Sequence, residues 1–198
     1  MSYVTVLNKQ SKFLGVGEMS KAFIVVDMIY DFVADDGALT CGKPGQAIVD
    51  DIVQGIHETI QNGGYVYLCG DAHEPDDPEF QAWPVHAVKG TKGAEWVEPI
   101  QQAYEQYKDT GRIHIVNKTK YDAFFRTPLE QLLKEHKITE VEVAGVCTSI
   151  CVNATVQAAT FRGYPVTVKR SRVADFDPKK HDIFLEHMEA ICKAKIED

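Results

Sequence analysis

One feature constrains this chain's fold above the rest: strand-like and helix-like segments alternate almost from end to end. Residues 22–27, AFIVVD, are a continuous apolar run closed by a carboxylate, which reads as a parallel strand buried on both faces. Across residues 47–62, Val49, Ile52, Val53, Ile56 and Ile60 recur at helical spacing, and Gly63-Gly64 ends the helix. Residues 65–70, YVYLCG, form the next strand. Residues 95–107 read as helix and 112–117, RIHIVN, as strand. Thr127-Pro128-Leu129-Glu130 has the form of a capping box with proline at the first helical position, opening a helix to about His136. A strand at 141–146, a helix at 149–162 stopped by Gly163, a strand at 165–169 and a closing helix at 182–193 complete the series. The pattern predicts an α/β fold in three layers, αβα, with a mostly parallel central sheet. At 198 residues the chain suits one domain over 21–198, with residues 1–20 an extension outside it and Met19 an alternative start.

Composition narrows the class. A net charge of −8 without a Lys/Arg cluster argues against a nucleic-acid partner. No apolar run approaches the ~20 residues that span a bilayer. Five cysteines without a disulfide framework, and no signal-peptide pattern at the start, predict a reduced, cytoplasmic protein.

In parallel sheets ligands bind beyond the carboxyl ends of the strands. Four consecutive strand ends here carry polar, reactive side chains: Asp27, Asp71 with His73, Lys118, and the segment Cys147-Thr148-Ser149-Ile150-Cys151. Cys151 falls in the first turn of a helix, where unpaired N–H groups and partial positive charge favour a thiolate and can hold an oxyanion. A Lys118 ammonium would lower the thiol pKa further, and Asp27 could take the thiol proton and pass it to a leaving amine. A free cysteine taken alone is more often a small buried apolar residue; the acid and base on neighbouring strand ends reverse that preference. Cys147 precedes the helix and reads as structural, with its backbone N–H serving the oxyanion.

Residues 71–93 form an irregular segment of a length that is usually functional. It contains Asp71, His73, Glu79 and His86, and two imidazoles with one or two carboxylates suit a borderline divalent ion such as zinc, manganese or iron. A polar surface loop with unrelated histidines accounts for the same letters equally well. Phe32 and Trp83 lie near the same rim, as core packing or as a sandwich for a flat ring.

The stretches VVDMIYDFVADDGALT, DAHEPDDPEFQAWPVHAVKGTKGAEW, NKTKYDAFFRTPLEQLL and VAGVCTSICVNATVQAATFRGY together resemble the isochorismatase-like cysteine hydrolases, and among them the nicotinamidases. The resemblance covers residues 22–190 and implies the isochorismatase-like hydrolase fold. It implies a catalytic triad of Asp27, Lys118 and Cys151, and an oxyanion hole from the N–H groups of Cys147 and Cys151 beside a cis Val146–Cys147 peptide. It further implies substrate contacts at Phe32, Trp83 and Tyr121, and one divalent ion, zinc by preference, on Asp71, His73, Glu79 and His86. The implied reaction is hydrolysis of nicotinamide to nicotinate and ammonia through a cysteine thioester, in NAD salvage, with pyrazinamide as a further substrate. The implied assembly is a homodimer or homotetramer. Two positions depart from the family pattern: Glu79 stands where many relatives have a third histidine, and Thr148-Ser149 replaces the usual Thr-Asp pair. The alternatives are a related amidase acting on a carbamoyl or ureido compound, and a non-catalytic relative that binds a small ligand.

Overall fold

The computed structural model describes residues 20–198. The expected extension lies outside the described residues, except that Ser20 is already the first residue of a strand. Seven strands form one sheet: β1 Ser20–Val26, β2 Tyr65–Asp71, β3 Ile113–Lys118, β4 Ile138–Val146, β5 Val166–Lys169, β6 Val173–Ala174 and β7 Lys195–Glu197. The main path runs β3-β2-β1-β4-β5-β7, β6 pairs with β4, and every pairing is parallel. The helices are α1 Tyr30–Val33, α2 Lys43–Ala47, α3 Val49–Gln61, α4 Glu98–Tyr107, α5 Leu129–Glu135, α6 Asn153–Phe161 and α7 Pro178–Ala190.

Strand alternation sorts β1 onto two cores. Ala22, Ile24 and Val26 pack with Leu129, Leu133, Val156, Leu185 and Met188 of α5, α6 and α7. Phe23 and Val25 pack with Ile52, Ile56, Ile100 and Ala103 of α3 and α4. Both faces of the sheet are therefore covered, which is the three-layer arrangement. Because β2 and β3 lie to one side of β1 and β4 and β5 to the other, strand order reverses between β1 and β4. The crevice at that switch point is where such sheets place a ligand. Among the described residues no helix is long and apolar enough to cross a membrane.

Several local expectations need correction. The capping box does not close: Thr127 Oγ1 accepts from the Leu129 N–H at 3.3 Å, but Glu130 turns outward to Lys134 and Arg162, and Pro128 is itself the cap residue. The last helix starts earlier than residue 182, because Asp177 accepts from the N–H groups of Lys179 and Lys180 and Pro178 occupies the first turn. It also ends earlier, freeing β7 to pair with β5. The segment after β4 opens as a π-helical turn, Thr148–Val152, before α6 begins.

Candidate active site

Three parallel strands end side by side and deliver three charged groups to one point. The register pairs Val26 with Cys69 across β1 and β2, and Asp71 with Lys118 across β2 and β3. Asp27 follows β1 in a left-handed conformation, φ 58°, which short polar residues tolerate best. Its Oδ1 accepts from the Asp71 N–H at 3.1 Å, and its Oδ2 lies 2.7 Å from Lys118 Nζ. Lys118 Nζ donates to Asp71 Oδ1, also at 2.7 Å. All three side chains are buried, so one ammonium is held between two carboxylates away from water.

β4 brings the fourth group. Gly145, at φ 115°, lies so close to β1 that a Cβ there would stand 1.9 Å from the Val26 carbonyl oxygen. Only glycine permits that approach. The Val146–Cys147 peptide that follows is cis. The π-helical turn then buries Cys151 close to Asp27 and Lys118.

The electrostatics reverse one expectation. Burial raises the Cys151 thiol well above the ordinary range; Lys118 lowers it, but the charges of Asp27 and Asp71 add to the rise. Helix-end and lysine stabilisation, which residue order suggests, is outweighed by desolvation, which it does not reveal. Burial likewise raises Asp27 to about 7 against the pull of Lys118. Lys118 stays charged: burial disfavours the ammonium, but Asp27, Cys151 and Asp71 together raise its pKa well above the usual lysine value. The resting group is thus a neutral thiol beside a carboxylate whose proton affinity suits a base working near neutral pH.

Asp71 faces a second cluster with its other oxygen. Asp71 Oδ2 is 3.6 Å from His73 Nε2 and 3.9 Å from His86 Nε2, and the three ligand atoms lie within 4.8 Å of one another. Asp77 Oδ2 lies 2.9 Å from His73 Nδ1 and the Pro84 carbonyl 2.7 Å from His86 Nδ1. Those oxygens only accept, so each Nδ1 carries a proton, and in the neutral ring each Nε2 presents a lone pair. His73 Nε2 is buried without a hydrogen-bond partner. Two imidazole nitrogens and a carboxylate oxygen, too far apart to bond one another, have the spacing of ligands about 2.0–2.2 Å from a common ion. These residues fit a divalent metal. Glu79 stands apart from this trio: it groups with His73 and Asp77, and its carboxylate pairs with Lys120.

Both clusters open into one cavity of about 410 Å³, lined among others by Phe32, Asp71, Trp83, His86, Cys147 and Cys151. Glu79 and Tyr121 also reach it, and Trp83 Nε1 donates to Tyr121 Oη at 2.9 Å. The cavity brings the Cys151 thiol and two of the three clustered metal-ligating side chains, Asp71 and His86, into one enclosure. The isochorismatase domain model matches residues 21–196. The chain belongs to the isochorismatase family. It is 40% identical over 172 residues to the family protein PncA of Bacillus subtilis (strain 168), covering 85% of this chain and 94% of that protein. The crystal structure of nicotinamidase/pyrazinamidase PncA from Bacillus subtilis superimposes with a TM-score of 0.88 at 38% identity, covering 91% of this chain and 100% of that one. A pyrazinamidase of Pyrococcus horikoshii solved in complex with zinc gives a TM-score of 0.78 at 28% identity, covering 89% and 98%.

Two side chains that residue order did not single out position this site. Asp77 orients His73. Asp31 accepts from the Ala87 N–H at 2.8 Å and the Ala38 N–H at 3.1 Å, tying the His86 loop to the segment after α1. Asp77 sits inside the recognised acidic loop, so an eye for histidine orienters could have found it. Asp31 bonds a residue 56 positions away, and nothing in its local sequence reports that.

Proposed function

We propose that this protein, an amide hydrolase of the isochorismatase family, hydrolyses nicotinamide to nicotinate and ammonia, and pyrazinamide by the same route, in the salvage of pyridine nucleotides. The observation that carries the reading is the single cavity lined by Cys151, Asp71 and His86, with Asp27 bonded to Asp71 and His73 completing the donor set. Asp71, His73 and His86 would hold one divalent ion, zinc by preference, with Glu79 near enough to reach it through water. When bound, that ion supplies a Lewis acid to which a ring nitrogen can bond.

Phe32 and Trp83 take the faces of the flat ring, and Tyr121 steadies Trp83 through its indole N–H. Asp27 accepts the Cys151 proton as the sulfur attacks the amide carbon. The backbone N–H groups of Cys147 and Cys151 take the developing oxyanion. Asp27 then returns the proton to the leaving nitrogen, and ammonia departs. Water, deprotonated by Asp27, attacks the thioester, and nicotinate leaves as Cys151 recovers its proton. Throughout, Lys118 keeps Asp27 and Asp71 from repelling each other.

The test is ammonia release from nicotinamide by purified protein, before and after chelation. Release that chelation abolishes and a divalent ion restores supports the reading. Silence from metal-loaded protein toward nicotinamide, with release from a carbamoyl or ureido compound, would replace it by the related amidase.

A further inference from the structure

The strand beside the nucleophile carries a buried carboxylate that the chemistry above does not use. β6 pairs Gly145 with Val173 and Val146 with Ala174. The residue after β6, Asp175, therefore arrives level with the π-helical turn that follows β4. Asp175 is 3% exposed, and both its oxygens are engaged by backbone. Oδ2 accepts from the Ser149 N–H at 2.8 Å, and Oδ1 accepts from the Asp177 N–H at 3.1 Å. These partners are N–H groups and not a cation, so the carboxylate is fixed in orientation as well as place.

From this geometry we infer that Asp175 is a positioning residue of the nucleophile: it clamps the turn at Ser149 and so sets where Cys151 Sγ and the Cys147 N–H stand relative to the attacked carbon. Ser149 is two residues from each cysteine, inside the same turn. A π-helical turn is a rare conformation that needs support from outside itself. Thr148, buried beside it, adds a second tether through its Oγ1 to His181 Nδ1 at 2.9 Å. Asp175 also bridges to the start of α7 through Asp177, whose own carboxylate caps that helix. The turn is thereby locked to a thirteen-residue helix and to the sheet at once.

The inference rests on the proposed amidase reaction for its kinetic arm but not for its structural arm. Asp175→Ala removes the clamp, whereas Asp175→Asn keeps an acceptor oxygen for the Ser149 N–H and gives up only the contact to Asp177. Displacement of a reacting group by about 1 Å can cost on the order of 100-fold in rate. Metal-loaded Asp175→Ala should therefore lose about 10- to 100-fold in kcat with KM within about twofold, and Asp175→Asn should recover most of it. Metal content should match the parent in both. Amide hydrogen exchange across residues 147–153 should quicken in Asp175→Ala and return in Asp175→Asn, with β1 to β3 unaffected. Parent-like kcat in Asp175→Ala, a loss confined to KM, or unchanged exchange in the turn would each overturn the inference. A parent protein that releases no ammonia sinks the amidase reading, and the exchange comparison still decides the clamp.

Discussion

Replacing Lys118 by methionine tests the charge arrangement at the heart of the site. The change keeps the chain's length and removes the ammonium that sits 2.7 Å from both Asp27 and Asp71. Two buried carboxylates then face each other across a gap with no counter-ion. Removing one partner of a buried pair costs about 3–5 kcal/mol, because the remaining charge is stranded. For a chain of this size each kcal/mol moves Tm by about 2–4 °C, so metal-free Lys118→Met should melt about 6–20 °C below the parent. Two further measurements separate charge from packing. Adding Asp27→Asn removes one of the stranded carboxylates and should raise the melting temperature of Lys118→Met. A divalent ion should stabilise Lys118→Met more than it stabilises the parent, since it neutralises Asp71 in the ammonium's place. Calorimetry with and without zinc reads all three. If metal-free Lys118→Met melts with the parent, or if Asp27→Asn destabilises it further, the arrangement is not the one described.

Cys151→Ala should abolish ammonia release while nicotinamide still binds, as titration calorimetry would report; residual turnover would remove the thioester route. His86→Ala should lose bound metal on elemental analysis, and an unchanged content would refute its place in the donor set. Asp77→Ala frees His73 to adopt the wrong tautomer and should weaken metal binding about 10- to 100-fold, measured by competition with a chromogenic chelator. Parent affinity there would mean that the 2.9 Å contact between Asp77 and His73 orients nothing.

The strand ends were legible because buried parallel strands run as unbroken apolar segments, so the first polar residue after each marks the rim. That logic located Asp27, Asp71, Lys118 and the cysteine segment, and the sheet does bring Asp27, Lys118 and Cys151 together. The short edge and insert strands were not legible: β6 spans two residues, and β7, Lys195–Glu197, shows one apolar residue between charges. Asp31 and Asp175 were missed for a different reason. Each acts on one backbone N–H group far away in sequence, Ser149 for Asp175 and Ala87 for Asp31, and a backbone donor has no letter of its own. The sign of the Cys151 shift failed for a third reason. Lysine and a helix start can be read from residue order, but the depth of burial that outweighs them belongs to the packed molecule.

The two halves of the site are joined at a single carboxylate. Asp71 gives Oδ1 to Lys118 and turns Oδ2 toward His73 and His86. An ion on Oδ2 draws electron density from the same group that shares Lys118 with Asp27. Metal occupancy should then be felt at Asp27, and through it at Cys151, without any movement of the chain. A hydrolase with its binding metal and its nucleophile on separate carboxylates could lose one and keep the other's reactivity. Here removal of a bound ion would leave Asp71 leaning wholly on Lys118, and the ammonium would be shared less evenly with Asp27. The consequence is measurable apart from turnover: the alkylation rate of Cys151 by a small haloacetamide, with no substrate present, should differ between metal-free and metal-loaded protein. Equal rates would mean that the donor set and the nucleophile share a cavity without sharing a charge.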